Sequence, residues 1–176
     1  MKTKISTLIV LILIIQSCGF STTPENYFEY TTVYTNLFSD FGSKDFQNFR
    51  TLIKQNALII ENENGEWVTQ DKLVPHIETY VISNIEKNIN KIQGLKKTAS
   101  TDAMIEASLN LHEFTLEIYQ KEYLHIANLI DCNASESIVN DAISELDKHH
   151  LEKYLELYTK LMDVALPYAE ANKIKG

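Results

Sequence analysis

The sequence predicts an all-α fold, an up-down-up-down four-helix bundle behind an apolar leader, and three observations carry that prediction. Apolar side chains recur at three- and four-residue spacing along four separate stretches. The links between those stretches are short and polar, as antiparallel neighbours require. Residues Thr101 to Asp131 also form a pattern that is apolar around most of a helix's girth, so this segment needs neighbours on more than one side. The chain has 176 residues, 44% hydrophobic, with five Gly and three Pro, which suits one domain with a substantial core and excludes a disordered composition.

The leader comes first in the chain. Lys2 and Lys4 precede an apolar run from Leu8 to Ile15 that is too short to span a bilayer as an ordinary helix. The run ends in Ile15-Gln16-Ser17-Cys18. This resembles the lipobox of bacterial lipoproteins, with an aliphatic residue three before the cysteine, a small residue directly before it, and the acceptor Cys itself. Gln16 departs from the commonest pattern. The resemblance implies that residues 1–17 are a lipoprotein signal peptide and that Cys18 is lipidated, with several acyl chains giving stable anchoring where one chain is marginal. Residues 18–23 are then a short lipid-anchored tether. A bacterial outer membrane is the expected location, and because the tether carries no acidic run of the kind used for surface export, the periplasmic face and the cell surface both stay open.

The bundle is expected over residues 24–170, with a polar tail at 171–176. Pro24 suits a first helical turn, and Tyr27, Tyr30, Tyr34, Phe38, Phe41, Phe49 and Ile53 continue an aromatic stripe that Gly42-Ser43 should kink or break. Residues 58–69 read either as a helix end and loop capped at Asn64-Gly65 or as a small hairpin. The helix end is preferred, because a lone hairpin is marginal. The second helix runs from Asp71 to Gln93 along Ile77, Val81, Ile85, Ile89 and Ile92, with Gly94 as its cap. The third follows Ser100. Asn133 and Glu136 look like a capping box for the fourth, whose seam is Val139, Ile143, Leu146, His150, Tyr154, Leu157, Leu161 and Val164. That seam drifts as a period near 3.5 requires, which implies left-handed supercoiling. Pro167 should kink or end this helix.

Two of these stretches, MIEASLNLHEFTLEIYQKEYLHIANLID (104–131) and LEKYLELYTKLMDVALPYAEANKI (151–174), resemble a family of small lipid-anchored helical surface proteins of Bacteroidota and spirochaetes. The resemblance implies a helical architecture and an envelope location. It brings no activity and no site residues with it.

Charge and motifs exclude more than they assign. The net charge is −8 for the chain, and −10 for residues 18–176 once Lys2 and Lys4 are removed. With no stripe of Lys or Arg, this argues against nucleic acid as a partner and against electrostatic docking on anionic lipid. No Ser/His/Asp or Cys/His arrangement, phosphate-cradling loop or haem motif occurs, so no enzyme activity or cofactor is implied. Cys132 has no partner once Cys18 is acylated and is expected as a free thiol. One residue breaks the apolar arc of the third helix: Glu122, with His125 after it in a Glu-x-x-His spacing that places both on one face, as in di-iron bundles. The second half of such a site is missing, because Asp147 lies off the seam on which His150 sits. Counting along antiparallel helices brings His76, His125, His149 and His150 towards Glu122, so a buried polar cluster is expected, with Glu122, His125 and His150 as the candidate metal ligands. The preferred expectation is a non-enzymatic binding or structural bundle with an envelope protein as partner. The alternative is a bundle binding a metal or small ligand through the Glu122/His cluster.

Overall fold

The computed structural model describes residues 22–174, and helices account for 74% of these described residues, as four long helices and a short one beside a small two-stranded sheet. The expected signal peptide over residues 1–17, Cys18 and the first part of the expected tether lie outside the described residues, as do Lys175 and Gly176. No helix among the described residues is long and apolar enough to cross a membrane.

The first segment begins with α1 (Pro24–Thr31), where Pro24 sits in the first turn and the Thr23 hydroxyl accepts from the Asn26 N–H at 3.3 Å. A 3₁₀ turn (Val33–Phe38) leads to Gly42, where the segment bends, and α2 (Ser43–Lys54) follows. The end of α2 is a Schellman turn: Asn56 takes φ 50°, its N–H reaches Ile53 O at 3.1 Å, and the Ala57 N–H reaches Leu52 O at 2.9 Å.

The preferred reading of residues 58–69 was wrong. They form a hairpin, β1 (Leu58–Glu61) antiparallel to β2 (Trp67–Gln70), with Leu58 opposite Gln70. The Asn62 side chain holds the turn by accepting from Asn64 N–H (2.9 Å) and Glu66 N–H (3.0 Å), while Gly65 takes φ 78°. The hairpin is not isolated. Leu58 is fully buried, and the ring of His76 bonds the backbone of Ile59, which supplies the packing a two-stranded sheet lacks alone.

The second segment comprises α3 (Leu73–His76), a π-helical turn (Ile77–Ile82) and α4 (Ser83–Gln93), and Gly94 caps it as expected. The third comprises α5 (Asp102–Ile118), a π turn (Tyr119–Tyr123) and α6 (Leu124–Asp131). The fourth comprises α7 (Glu136–Leu146), a π turn (Asp147–Leu151) and α8 (Glu152–Ala171). Two caps differ from expectation. Thr101, not Ser100, precedes α5. Asn133, with φ 55°, closes α6 in a second Schellman turn, and the Ser135 hydroxyl caps α7 instead. Pro167 does not end α8, which continues to Ala171.

The core is assembled from all four segments: Phe38, Phe41 and Phe46; Ile77, Ile85 and Ile92; Met104, Ile105, Leu111, Tyr119 and Tyr123; and Leu146, Tyr154 and Leu161. One end joins α1 to the link after α4, where the Tyr27 hydroxyl donates to Lys96 O at 2.9 Å. The opposite end joins α3 to α6, where Asp131 accepts the N–H groups of Leu73 (2.8 Å) and Val74 (3.0 Å).

Candidate functional site

A line of polar side chains runs through this core. Ser108, His112, Thr115, Tyr119 and Tyr123 follow one another at helical spacing on α5 and its π turn, and each is 0% exposed. At one end the Ser108 hydroxyl donates to Thr31 O at 2.8 Å. His112 Nδ1–H donates to Ser108 O at 2.8 Å, which fixes the tautomer and leaves Nε2 an acceptor. Neither His112 Nε2 nor Thr115 Oγ1 has a hydrogen-bond partner among the described residues. The ring of His112 stands edge-on to Phe38, and burial drives its pKa down to about 4.

At the other end the line meets α2. Gly42 holds φ 94° and ψ −145°, a backbone region closed to other residues without strain, and a Cβ there would lie 2.2 Å from Asp147 Oδ1. The bend at Gly42 turns Asp45, in the first turn of α2, into the core at 7% exposure. Its Oδ2 accepts from the Tyr119 hydroxyl and, at 3.0 Å, from the Tyr123 hydroxyl. Tyr123 in turn accepts the Gly42 N–H at 2.6 Å. From α7's π turn, Asp147 accepts the Ser43 N–H at 2.9 Å and so caps α2 from a distant part of the chain. The two tyrosine rings stack at 3.8 Å.

Burial pushes the Asp45 carboxyl up to about 6, against the pull of the two tyrosine hydroxyls, and the neighbouring Asp40 charge adds to the rise. Burial also raises both tyrosines well above their ordinary range, so neither ionises in a folded chain. The arrangement can hold a proton on one carboxyl and lock the start of α2 against α5. A surface cleft of about 510 Å³ lies elsewhere, between α2 and the start of α7, lined by Arg50, Ile53, Lys54, Ile130, Asn133 and Val139 among others.

The expected Glu122 cluster does not form. Glu122 is half-buried and makes no hydrogen bond to a His or Tyr among the described residues. The π turn is the reason: i→i+5 bonding inserts one residue into the register, about 100° of rotation, so Tyr123 takes the inward position and Glu122 moves to the flank. His125 is exposed. His149 is exposed and pairs with Glu145 at 3.0 Å on its own helix. His150 is half-buried, its ring 6.3 Å from that of Phe114. His76 is buried, but it faces the hairpin, with Nδ1 2.8 Å from Ile59 O and its ring stacked on Tyr80. Among the described residues no three His, Cys, Asp or Glu side chains gather where a metal ion could sit, so Glu122, His125 and His150 are not assembled as ligands.

Sequence reasoning missed Asp45, Ser108, His112 and Thr115. The spacing of the last three with Tyr119 was a visible signal, since all four lie on one face. Nothing local marked Asp45, whose inward position depends on the bend before it. Comparison with protein-family models, with curated proteins and with solved structures found no match for this chain.

Proposed function

We propose that the chain is a lipid-anchored, non-enzymatic domain of a bacterial envelope, an up-down-up-down helical bundle held to the membrane through acylated Cys18, which binds an envelope partner or serves structurally. The observation that carries this reading is how soon the fold starts. Thr23 already caps α1, five residues after Cys18, so an acylated cysteine keeps the whole domain at the bilayer. The apolar run Leu8–Ile15 directly before the lipobox-like Ile15–Cys18 supports it, as does the resemblance of residues 104–131 and 151–174 to lipid-anchored helical proteins. The short links Gly94–Thr101 and Cys132–Ser135 between successive long segments support antiparallel neighbours. A structural rather than catalytic part for Asp45 is supported by its partners: both hydroxyls that reach it come from the chain's own buried tyrosines.

The test is metabolic labelling with a fatty-acid probe in a bacterial host, alongside membrane fractionation. The native chain is expected to take up label and sediment with membranes, and Cys18→Ala to lose the label and remain at the precursor size. Equal labelling of the two chains would refute the anchor.

A further inference from the structure

We infer that the domain stands upright on the membrane, resting on the pole built by residues 22–29, 91–102 and 168–174 and holding the hairpin and Cys132 away from it. This rests on the anchor at Cys18 and adds the surface that meets the lipid.

Tether length sets the first constraint. Thr22 lies four residues after Cys18, a stretch that spans at most ~14 Å when fully extended. Thr22 lines one cleft with Asn26, Tyr30, Lys91, Gly94 and Leu95, so the anchored end of the chain emerges beside the link after α4. Tyr27 then fastens that link through Lys96 O. The link is internally braced: Thr98 N–H donates to Thr101 Oγ1 at 3.0 Å, and Thr98 Oγ1 lies 3.1 Å from Ser100 Oγ. Its exposed residues Lys96, Lys97, Thr98, Ala99 and Ser100 thus form a fixed polar tip within reach of the headgroup layer. The third helical segment, from Asp102 to Asp131, carries the opposite pole roughly 40–45 Å away.

Charge then selects upright over flat. At the tethered pole Lys91, Lys96, Lys97 and Lys173 offset Glu25, Glu29, Asp102 and Glu170, whereas the rest of the described chain carries nine Lys and Arg against twenty Asp and Glu. Lying flat would press those acidic flanks onto anionic lipid, while standing presents the neutral end with its lysines. The lysines do not dock the chain, a task the acyl chains perform; they orient it. The exposed leucines of α8, Leu155 and Leu166, stand eleven residues apart, roughly 16 Å along the helix, with the exposed Thr159 between them on that face.

The experiment uses the full lipidated protein in vesicles of phosphatidylethanolamine and phosphatidylglycerol containing a headgroup-quencher lipid. One sample carries a fluorophore on the native Cys132 thiol, and the other carries it on Ala99→Cys in a Cys132→Ser background. Upright standing predicts quenching several-fold stronger at position 99 than at position 132, with the difference shrinking in Lys96→Glu/Lys97→Glu. Flotation is read on the same samples. Cys18-dependent flotation with equal quenching at the two positions, or stronger quenching at 132, overturns the orientation and leaves the anchor standing. Flotation unchanged by Cys18→Ala overturns the anchor, and the orientation with it.

Discussion

Asp45 and His112 should make opposite contributions to the pH dependence of stability, and two substitutions can separate them. The folded chain holds the Asp45 carboxyl at about 6 against 3.8 in an open chain. The folded state therefore binds this proton more readily than the unfolded state. Its contribution to stability is present below pH 3.8 and is lost as pH rises through about 6. His112 behaves in the reverse sense, with about 4 in the fold against 6.5 in the open chain. Its contribution is present above pH 6.5 and is lost as pH falls through about 4. At 1.36 kcal/mol per pH unit of displacement each effect amounts to about 3 kcal/mol, and the two nearly cancel across the shared window.

In native protein the two slopes should offset each other between pH 4 and 6, leaving the rise with pH that buried His76, also lowered by burial, contributes. Asp45→Asn keeps an acceptor for Tyr119 and Tyr123 but removes the titration, so the His112 slope emerges and stability should rise with pH by about 1 kcal/mol per unit near pH 5. His112→Gln leaves Asp45 alone and should give a fall of similar size. The assay is urea unfolding followed by circular dichroism at pH steps across the window, with the slopes of the two variants compared. Parallel profiles for the two variants would refute the reasoning.

Two further perturbations test the surrounding geometry. Gly42→Ala should destabilise by about 1–3 kcal/mol, because φ 94° excludes a side chain and the new methyl meets Asp147. In a double-mutant cycle with Asp147→Ala the clash should be relieved and the strain should stay, giving a combined loss smaller than the sum, and strict additivity would count against the contact. Glu122→Ala should cost no more than about 0.5 kcal/mol, close to Glu117→Ala, since neither strands a buried partner. A loss of several kcal/mol confined to Glu122 in thermal unfolding would restore an inward carboxylate there.

The helical segments and their approximate bounds were legible because they depend on periodicity and breakers. Pro24, the Gly42 bend and the Gly94 cap all fall where sequence places them. The hairpin was misread because its stability comes from His76 and the neighbouring helices, which a local pattern does not contain. Asn133 was misread for a related reason: an Asn beside a helix suits either an N-cap or a left-handed C-terminal turn, and only the chain direction after Cys132 decides. The polar line on α5 was half legible. Ser108, His112, Thr115 and Tyr119 share one face of an ideal helix, but three of them read as ordinary polar residues until the all-round burial of α5 is known.

The π turns account for the largest error, and they can be tested directly. An ideal wheel puts Glu122 inward, whereas the inserted residue in Tyr119–Tyr123 rotates it away and lets both tyrosines reach the same Asp45 oxygen. If that turn is a one-residue insertion in an otherwise α-helical register, removing one residue there should restore an α-helix without rotating α6. Gln120 is exposed and serves for the cut. Its deletion should keep Ile126 and Ala127 in the core and preserve cooperative unfolding, at a cost of about 1–3 kcal/mol from the disturbed hydroxyl bonds to Asp45. Inserting an alanine after Gln120 adds about 100° more and drives polar residues of α6 inward, so cooperative unfolding should be lost. Equal damage from deletion and insertion would mean that the turn is not a register insertion, and the explanation for Glu122 would fall with it.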